Sequence, residues 1–191
     1  MTPPAALLPT LRFLLVGLVL ALVACGDRDG PFHPYTSGGG DGEAGIRMGA
    51  GIFVLDAEGP GWYGVLTYSI TNVTRRTISL PNCNGGFPLR LERWSGKEWK
   101  RAWSPALNDC ASPPIVIEPG EDRALQLGVF GAHPDTPSWS PRFESMPIDG
   151  IHRLVVTRAF WDGTGYGPSP GDPVPVEHLT SRAFWIVTRG E

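Results

Sequence analysis

The sequence is poor in the residues that mark metal centres and nucleic-acid interfaces. Its four histidines, His33, His133, His152 and His178, are far apart, and none has a second ligand at the short spacings typical of zinc sites. The net charge is −3 and only two of the basic residues are lysines, whereas nucleic-acid-binding domains carry clustered basic side chains. We therefore expect neither a bound metal nor a nucleic-acid partner.

Signs of catalysis are scarce as well. The chain has no Cys-x-x-Cys pair, and no nucleophile with a matching base stands out from the rest of the sequence. The sequence predicts a protein that is not an enzyme, with no catalytic residues and no cofactor.

The sequence also lacks a hydrophobic run long enough to cross a membrane. The run from Phe13 to Ala24 is uncharged and mostly aliphatic, but a membrane-spanning helix needs about 20 apolar residues. Arg12 precedes this run as the only charge among the first 26 residues. A basic start, a short apolar middle and a small-residue end are the three parts of a secretory signal peptide.

The end of that run, Leu22-Val23-Ala24-Cys25, resembles the lipobox of bacterial lipoproteins. In that family, a lipid is attached to the cysteine thiol and the chain is cut just before it. The resemblance implies that residues 1–24 are a signal peptide and that acylated Cys25 anchors the protein in a lipid bilayer. It places the remaining domain outside the cytoplasm, in the bacterial cell envelope. An ordinary cleaved signal and an uncleaved anchor are the alternatives.

A flexible segment follows the lipidation site. Residues 26–45 contain seven glycines and few residues to bury, so the segment cannot offset the entropy lost on ordering. We interpret residues 25–45 as the lipidated cysteine and a tether with a root-mean-square reach of about 25 Å. Residues 46–191 are long enough to form one folded domain.

Cys83 and Cys110 are the only other cysteines. With Cys25 acylated, they form an even pair in an oxidising compartment, where pairing is the rule. The sequence therefore predicts a disulfide that stabilises the domain by roughly 3.5 kcal/mol in the chain-entropy description. A catalytic or metal-binding thiol would need a nearby second ligand, and none is present at a recognisable spacing.

From Ile46 onward, the pattern is one of short strands separated by turns. Leu66, Tyr68 and Ile70 alternate with polar or exposed positions, as in a half-buried strand. Turn signals such as Pro119-Gly120 and Asp149-Gly150 separate such segments. About seven to nine strands of this kind predict an all-β fold, an antiparallel β-sandwich.

The segment from Phe87 to Trp103 is the clearest hairpin, with Ser95-Gly96 at its tip. A three-residue loop from Ser95 to Lys97 would set Glu92 opposite Lys100. It would also place Leu89, Leu91, Trp99 and Trp103 together on the other face.

Several of these segments occur in an order that resembles bacterial immunoglobulin-like domains of exported proteins. The matching segments are Leu66–Asn72, Leu91–Trp94 with Trp99, Ile117–Glu121 and Gly150–Val155. His152 stands where that family more often has tyrosine. The resemblance covers roughly Trp62 to Trp161 and implies an immunoglobulin-like sandwich. The family has no shared catalytic residues.

Binding candidates are few. Trp139 and Trp161 flank loops and are the tryptophans that we expect to be exposed. The segment from Asp162 to His178 is rich in glycine and proline and carries Asp162 and Asp172. Long loops in compact domains are functional or disordered, so this one is interpreted as a partner-facing loop, a plain surface excursion or, less in keeping with its spacing, a calcium loop.

These features predict a non-enzymatic binding or accessory module that is anchored to the envelope and meets an envelope protein. The alternative is an inhibitor of an extracytoplasmic protease. Under that alternative, the disulfide would stiffen the loops near Pro81–Gly86 and Ser112–Pro114 for insertion into an enzyme cleft.

Overall fold

The computed structural model describes residues 45–107, 110, 112–163, 165, 167 and 170–190. The predicted signal peptide, Cys25 and nearly all of the predicted tether lie outside the described residues. The account below therefore concerns the folded domain.

The described residues form twelve strands and one short 3-10 helix, Val176–Leu179. The strands are β1 Gly45–Met48, β2 Ile52–Glu58, β3 Gly61–Thr71, β4 Ile78–Asn82, β5 Leu89–Trp94, β6 Trp99–Trp103, β7 Ser112–Ile117, β8 Asp122–Ala132, β9 Gly150–Val156, β10 Phe160–Trp161, β11 Asp172–Pro173 and β12 Phe184–Arg189.

The strands form two sheets. The large sheet has eight strands in the order β1-β3-β2-β12-β9-β5-β6, with β8 paired to β3 along its whole length. The other edge of β3 is shared by β2 and β1. The small sheet has the order β11-β10-β4-β7. Among the paired strands described, β2 and β12 are parallel and the rest are antiparallel.

One hydrophobic core joins the two sheets. It contains Leu66 and Ile186 from the large sheet and Ile78, Leu80 and Ile117 from the small one, all essentially buried. Side chains from both inner faces fill the space between the sheets, as in a sandwich. The predicted all-β sandwich with mainly antiparallel sheets is confirmed.

The strand number is larger than the seven to nine expected. Strands β10 and β11 have two residues each, and so short a segment has no periodicity to detect. Strand β1 has four residues and pairs with one end of β3.

The β5–β6 hairpin forms, but its predicted register is wrong. Trp94 pairs with Trp99 across a four-residue loop, so Arg93 is opposite Lys100 and Glu92 is opposite Arg101. The Ser95 hydroxyl closes this loop by donating to the Glu98 carbonyl at 2.8 Å. A register shift between Leu91 and Glu92 then pairs Leu91 with Trp103. A bulge of this kind inserts an extra residue and redirects the side chains beyond it.

Candidate functional site

Three of the four predicted binding residues meet at Arg76, near the start of β4. The Arg76 guanidinium donates from Nε to Asp162 at 2.6 Å and from Nη2 to Asp172 at 2.8 Å. Its carbon Cζ lies 5.5 Å from the centre of the Trp161 ring, within cation–π range. We call these four residues the arginine latch, because they join the two ends of the long loop to the small sheet.

The carboxylates of the latch serve this structural contact. The hydrogen bond from Arg76 lowers the pKa of Asp162, and the Thr77 backbone N–H adds a second donor at 3.0 Å. The carboxylates of Asp162 and Asp172 are thus already bonded to Arg76 within the chain. In the described part of the chain, no three His, Cys, Asp or Glu side chains are grouped so that they could hold a metal ion.

The long loop also covers the outer surface of β4. Ile78 and Leu80 point into the core, while Ser79 points outward and is nevertheless only 1% exposed. Its hydroxyl donates to the carbonyl of Gly163. A side chain on Gly163 would collide with the Pro170 carbonyl, so only glycine permits this close approach of the two loop ends. Strand β4 is therefore covered on both faces by its own chain.

The same loop contains a Gly-x-Ser-x-Gly string from Gly167 to Gly171. In α/β-hydrolases, such a string sits on a strand-to-helix turn that exposes the serine as a nucleophile. Here it lies between the two-residue strands β10 and β11, and Ser169 lies outside the described residues. Gly171 is followed directly by β11, whereas a helix follows the motif in the hydrolase turn.

A second surface, on the large sheet, is apolar and exposed. Neighbouring strands β3, β2 and β12 direct alternate side chains into the core and leave the remaining ones outside. The outward residues are 40–62% exposed. We call them the outer apolar face: Ile52, Val54, Tyr63, Val65, Trp185 and Val187.

The strand register makes this face continuous. Trp185 lies directly opposite Ile52, and Val187 lies opposite Val54. The six side chains lie on three neighbouring strands, because β2 lies between β3 and β12. On the β3 side, Tyr63 lies opposite Asp56. An exposed apolar area of this kind is a candidate surface for contact with another protein, a membrane or a ligand.

Trp139, the fourth predicted candidate, lies beside this face and not at the arginine latch. Its ring is 46% exposed and packs on Phe130, with ring centres 6.5 Å apart. Phe130 pairs with Tyr63 across β8 and β3. Trp139 therefore contacts the large sheet, whereas Trp161 belongs to the small one and is only partly exposed.

The opposite border of the outer apolar face is charged. On β9, Arg153 donates from Nε to Glu92 at 2.6 Å and stacks over Trp99, with its Cζ 4.6 Å from the ring centre. Arg90 binds the second carboxylate oxygen of Glu92 at 2.6 Å. Trp99 therefore packs with this outer cluster, contrary to the prediction that it shares the core face with Trp103.

A further border pair is formed by Asp56 on β2 and Arg189 on β12, 2.6 Å apart. The Arg189 hydrogen bond lowers the pKa of Asp56. The carboxylates of Asp56 and Glu92, which lie next to the apolar side chains, are thus paired within the chain.

His152, which points into the core, has no catalytic geometry. Its Nδ1 lies 3.0 Å from the carbonyl oxygen of Gly150, which fixes the proton on Nδ1. Its Nε2 is buried and has no hydrogen-bond partner among the described residues. Burial lowers the pKa of His152 to about 4, so the imidazole is neutral at physiological pH.

A cavity of about 460 Å³ opens where β1, β3 and β8 meet. Met48, Tyr68 and Leu125 line it, and the Tyr68 hydroxyl is buried without a hydrogen-bond partner. Burial raises the pKa of Tyr68, so the phenol stays neutral. The cavity can hold a small apolar group, and Arg47 and Gln126 also line it.

The predicted Cys83–Cys110 disulfide is present. It joins the end of β4 to the segment before β7. Asn82 supports the same region, because its side chain donates to the Pro113 carbonyl at 3.0 Å and accepts from the Gly85 N–H at 2.8 Å. The two loops expected to be stiffened by the disulfide are therefore tied to each other.

Within the residues described, no helix is long and apolar enough to cross a membrane. No protein-family model matches the sequence, and no curated protein is a significant match. A β-glucosidase from Listeria innocua matches 78% of this chain and 16% of its own, with a TM-score of 0.34 and 12% identity. The alkylpurine DNA glycosylase AlkC from Pseudomonas fluorescens, bound to DNA containing an abasic site analogue, matches 90% of this chain and 44% of its own, with a TM-score of 0.30 and 8% identity.

The chain therefore spans less than half the length of either structure. Likeness at this level carries no argument about the activity of this protein.

Proposed function

We propose that this protein is a lipid-anchored component of the bacterial cell envelope whose sandwich domain is a non-enzymatic binding or accessory module. The observation that carries the binding role is the outer apolar face. It leaves six large apolar side chains in contact with water. Full burial of each aliphatic side chain among them would contribute roughly 1.5–3 kcal/mol of favourable free energy. A partner that covers the face would recover part of this free energy.

Two sequence features support the envelope address. The Leu22-Val23-Ala24-Cys25 motif resembles a lipobox, and the disulfide belongs to the kind that persists in oxidising compartments. The anchor would hold the domain close to the bilayer through the glycine-rich segment before Gly45.

Metabolic labelling with a fatty acid tests the anchor. We expect the wild-type protein to incorporate label and to fractionate with membranes, and Cys25→Ser to do neither. A Cys83→Ser, Cys110→Ser double variant is the matched control, because it removes two thiols and keeps Cys25. Label that persists in Cys25→Ser would contradict the anchor.

Affinity purification from solubilised envelope tests the binding role. We expect wild-type protein to retain a partner that Val54→Asp, Val187→Asp loses, because the two carboxylates would be desolvated at the contact. Val116→Asp is the control, since Val116 is 38% exposed on the small sheet. Equal recovery from all three proteins would contradict a role for the outer apolar face.

A second candidate function is inhibition of an extracytoplasmic protease. The observation that favours it is the tied pair of loops at Cys83 and Cys110, because a rigid loop loses little entropy on entering an enzyme cleft. Inhibition of an envelope protease that disappears in the Cys83→Ser, Cys110→Ser variant would support this function. Lack of inhibition across protease classes would contradict it.

A further inference from the structure

We propose that the free edge of β8 binds an extended segment of another protein, which joins the large sheet as an additional strand. This site is on β8 and is separate from the outer apolar face, and it does not depend on acylation of Cys25. Three features of β8 carry the proposal: its unpaired backbone groups, its lack of edge protection and the cavity beside it.

The first feature is the direction of the backbone groups of β8. On one side, β8 pairs residue for residue with β3 from Asp122 to Ala132. In an antiparallel pair, alternate residues direct both of their backbone groups away from the partner strand. Ala132 is one of these residues, because its N–H donates to Pro141 and its carbonyl accepts from Phe143.

The same alternation directs the N–H and C=O groups of three earlier residues to the free edge: Ala124, Gln126 and Gly128. Phe130, the next in this series, has its carbonyl bonded to the Trp103 indole at 2.9 Å. The three earlier residues are exposed, and the described part of the chain provides no strand and no backbone hydrogen bond on that side of them. An extended backbone is the structure whose own N–H and C=O groups match such a row.

The second feature is the absence of edge protection on β8. Proteins protect exposed sheet edges with charged side chains, with proline or by keeping the edge strand very short. Edge strand β6 carries Lys100 and Arg101. Edge strand β7 carries Pro113 and Pro114, and β1 and β11 have only four and two residues. From Ala124 to Ala132, in contrast, β8 has neither charge nor proline.

The third feature is the cavity of about 460 Å³, which lies beside the same stretch of β8. Ala124 and Gln126 line it, together with outward-facing residues of β1 and β3: Arg47, Thr67 and Ser69. The cavity therefore opens on the outer side of the large sheet, and its volume admits an aromatic side chain. A side chain of the added strand can lie over the small Ala124 and enter it. Backbone bonds would then supply affinity and the cavity would select the segment.

Arg47 adds a charge to the rim of this cavity. Its side chain is exposed, and no carboxylate in the described ranges forms an ion pair with it. A positive charge at the rim favours an acidic residue in the bound segment. We therefore expect an extended segment that carries an aromatic side chain for the cavity and, close to it, Asp or Glu.

Neither a second copy of β8 nor the protein's own tether has this composition. On the outer side, a second β8 would bring three residues without a large apolar side chain: Ala124, Gln126 and Gly128. Phe130, the next residue on that side, already packs on Trp139 of its own chain. The glycine-rich residues 26–45 have no alternating apolar pattern. The occupant that fits is a strand of another protein.

Amide exchange on the full chain in detergent tests whether the edge is free. We expect the amides of Ala124, Gln126 and Gly128 to exchange fast. Those of Leu125 and Leu127, which face β3, should be protected. Protection of all five amides without any added peptide would overturn the proposal, because the edge would already be occupied.

A displayed library of random peptides, selected on the full chain, supplies the probe. We expect the selected peptides to carry an aromatic residue close to an acidic one and to slow exchange at the three edge amides. Gly128→Pro should weaken their binding roughly tenfold or more, because proline removes the edge N–H and places its ring there. Gly128→Ala is the matched control and should bind as the wild type does, because it keeps the N–H and its methyl group meets no atom within 4 Å.

Circular dichroism checks that both variants fold, and the exchange measurement on the wild type decides the matter if Gly128→Pro does not. A selection that returns no binder, or binders that ignore Gly128→Pro and leave the edge amides unprotected, would overturn the proposal. A dimer of the full chain that Gly128→Pro dissociates would overturn it too, because the occupant would be a second copy.

The variant Val54→Asp, Val187→Asp separates this site from the proposed function. We expect it to bind the selected peptides as the wild type does, because both substitutions lie on β2 and β12 and leave the β8 edge unchanged. Loss of peptide binding in this variant would place the peptides on the outer apolar face and overturn the edge site alone.

Discussion

The two sheets of the sandwich differ in what covers their outer surfaces. On the small sheet, Ser79 points away from the core and is buried by the loop that the arginine latch holds in place. On the large sheet, Val54 points away from the core and is exposed. Strand β4 of the small sheet is thus covered on both faces by its own chain, whereas the described residues leave the apolar layer of the large sheet without a cover. The predictions below test this contrast.

Removing the disulfide should give the largest loss of stability and should act on the covered side. We expect Cys83→Ser, Cys110→Ser to lower the free energy of unfolding by roughly 3–4 kcal/mol, because the reduced chain gains conformational freedom when unfolded. Denaturant unfolding with and without reductant measures this. If reductant still lowered the stability of the double variant, the loss of stability in reductant would not come from the Cys83–Cys110 disulfide.

Acidification should lower the stability in two steps, the first at His152 on the inner face of the large sheet and the second at the arginine latch. The pKa of His152 is lowered to about 4 from 6.5, so between these pH values the unfolded chain binds a proton that the folded chain does not. Stability is therefore complete above pH 6.5 and falls on acidification to pH 4, by about 3 kcal/mol in total.

His152→Asn keeps a side chain able to donate to Gly150 and should flatten this part of the curve. The latch responds later, because the lowered pKa of Asp162 means that its contribution is lost only below its ordinary value near 3.8. Unfolding measured from pH 7 to 3 tests both steps. An unchanged slope in His152→Asn would assign the acid sensitivity to another group.

Removing the Ser79 hydroxyl, which bonds the long loop to β4, should lower the free energy of unfolding by less than the changes above. Ser79→Ala leaves the Gly163 carbonyl without its hydroxyl donor, and we expect a loss of about 1–2 kcal/mol because a buried acceptor becomes unsatisfied. Amide exchange at Thr77 and Gly163 should accelerate, while exchange in β12 should not. Equal acceleration in both sheets would mean that the loop is not a local cover.

A substitution on the outer apolar face should have the smallest effect on stability and the largest effect on partner binding. Val54→Thr keeps the shape of the side chain, and its effect on unfolding should be within about 0.5 kcal/mol, as for other surface substitutions. Partner binding should nevertheless weaken. A large loss of stability in the monomeric protein would mean that Val54 is already buried by its own chain.

Local patterns predicted one part of this molecule well. The alternation of Leu66, Tyr68 and Ile70 identified β3, because these residues are buried and Thr67 between them is exposed. The count of cysteines and the expected compartment predicted the disulfide. Both depend on information close in sequence or on the number of residues of one kind.

Contacts between distant residues were not predictable in the same way. The latch joins Arg76 to Asp162 across 86 positions, and nothing in the residues around Arg76 distinguishes it from other surface arginines. The predicted hairpin register was wrong because the loop has four residues, Ser95 to Glu98, and the apolar pattern does not distinguish this loop from a three-residue one. The outer apolar face did have a signal, the consecutive apolar residues of β2 and β12, but adjacency of the two strands was needed to interpret it.

The place of β12 has a consequence for how the domain is completed. Because β12 lies between β2 and β9, the large sheet without it would be two unconnected fragments, one around β3 and the other around β5. The two halves can join only after Phe184–Arg189 has been synthesised and has found partners that were made much earlier. Pairings so distant along the chain slow folding. A polypeptide that must cross a membrane before it folds would gain time from that delay.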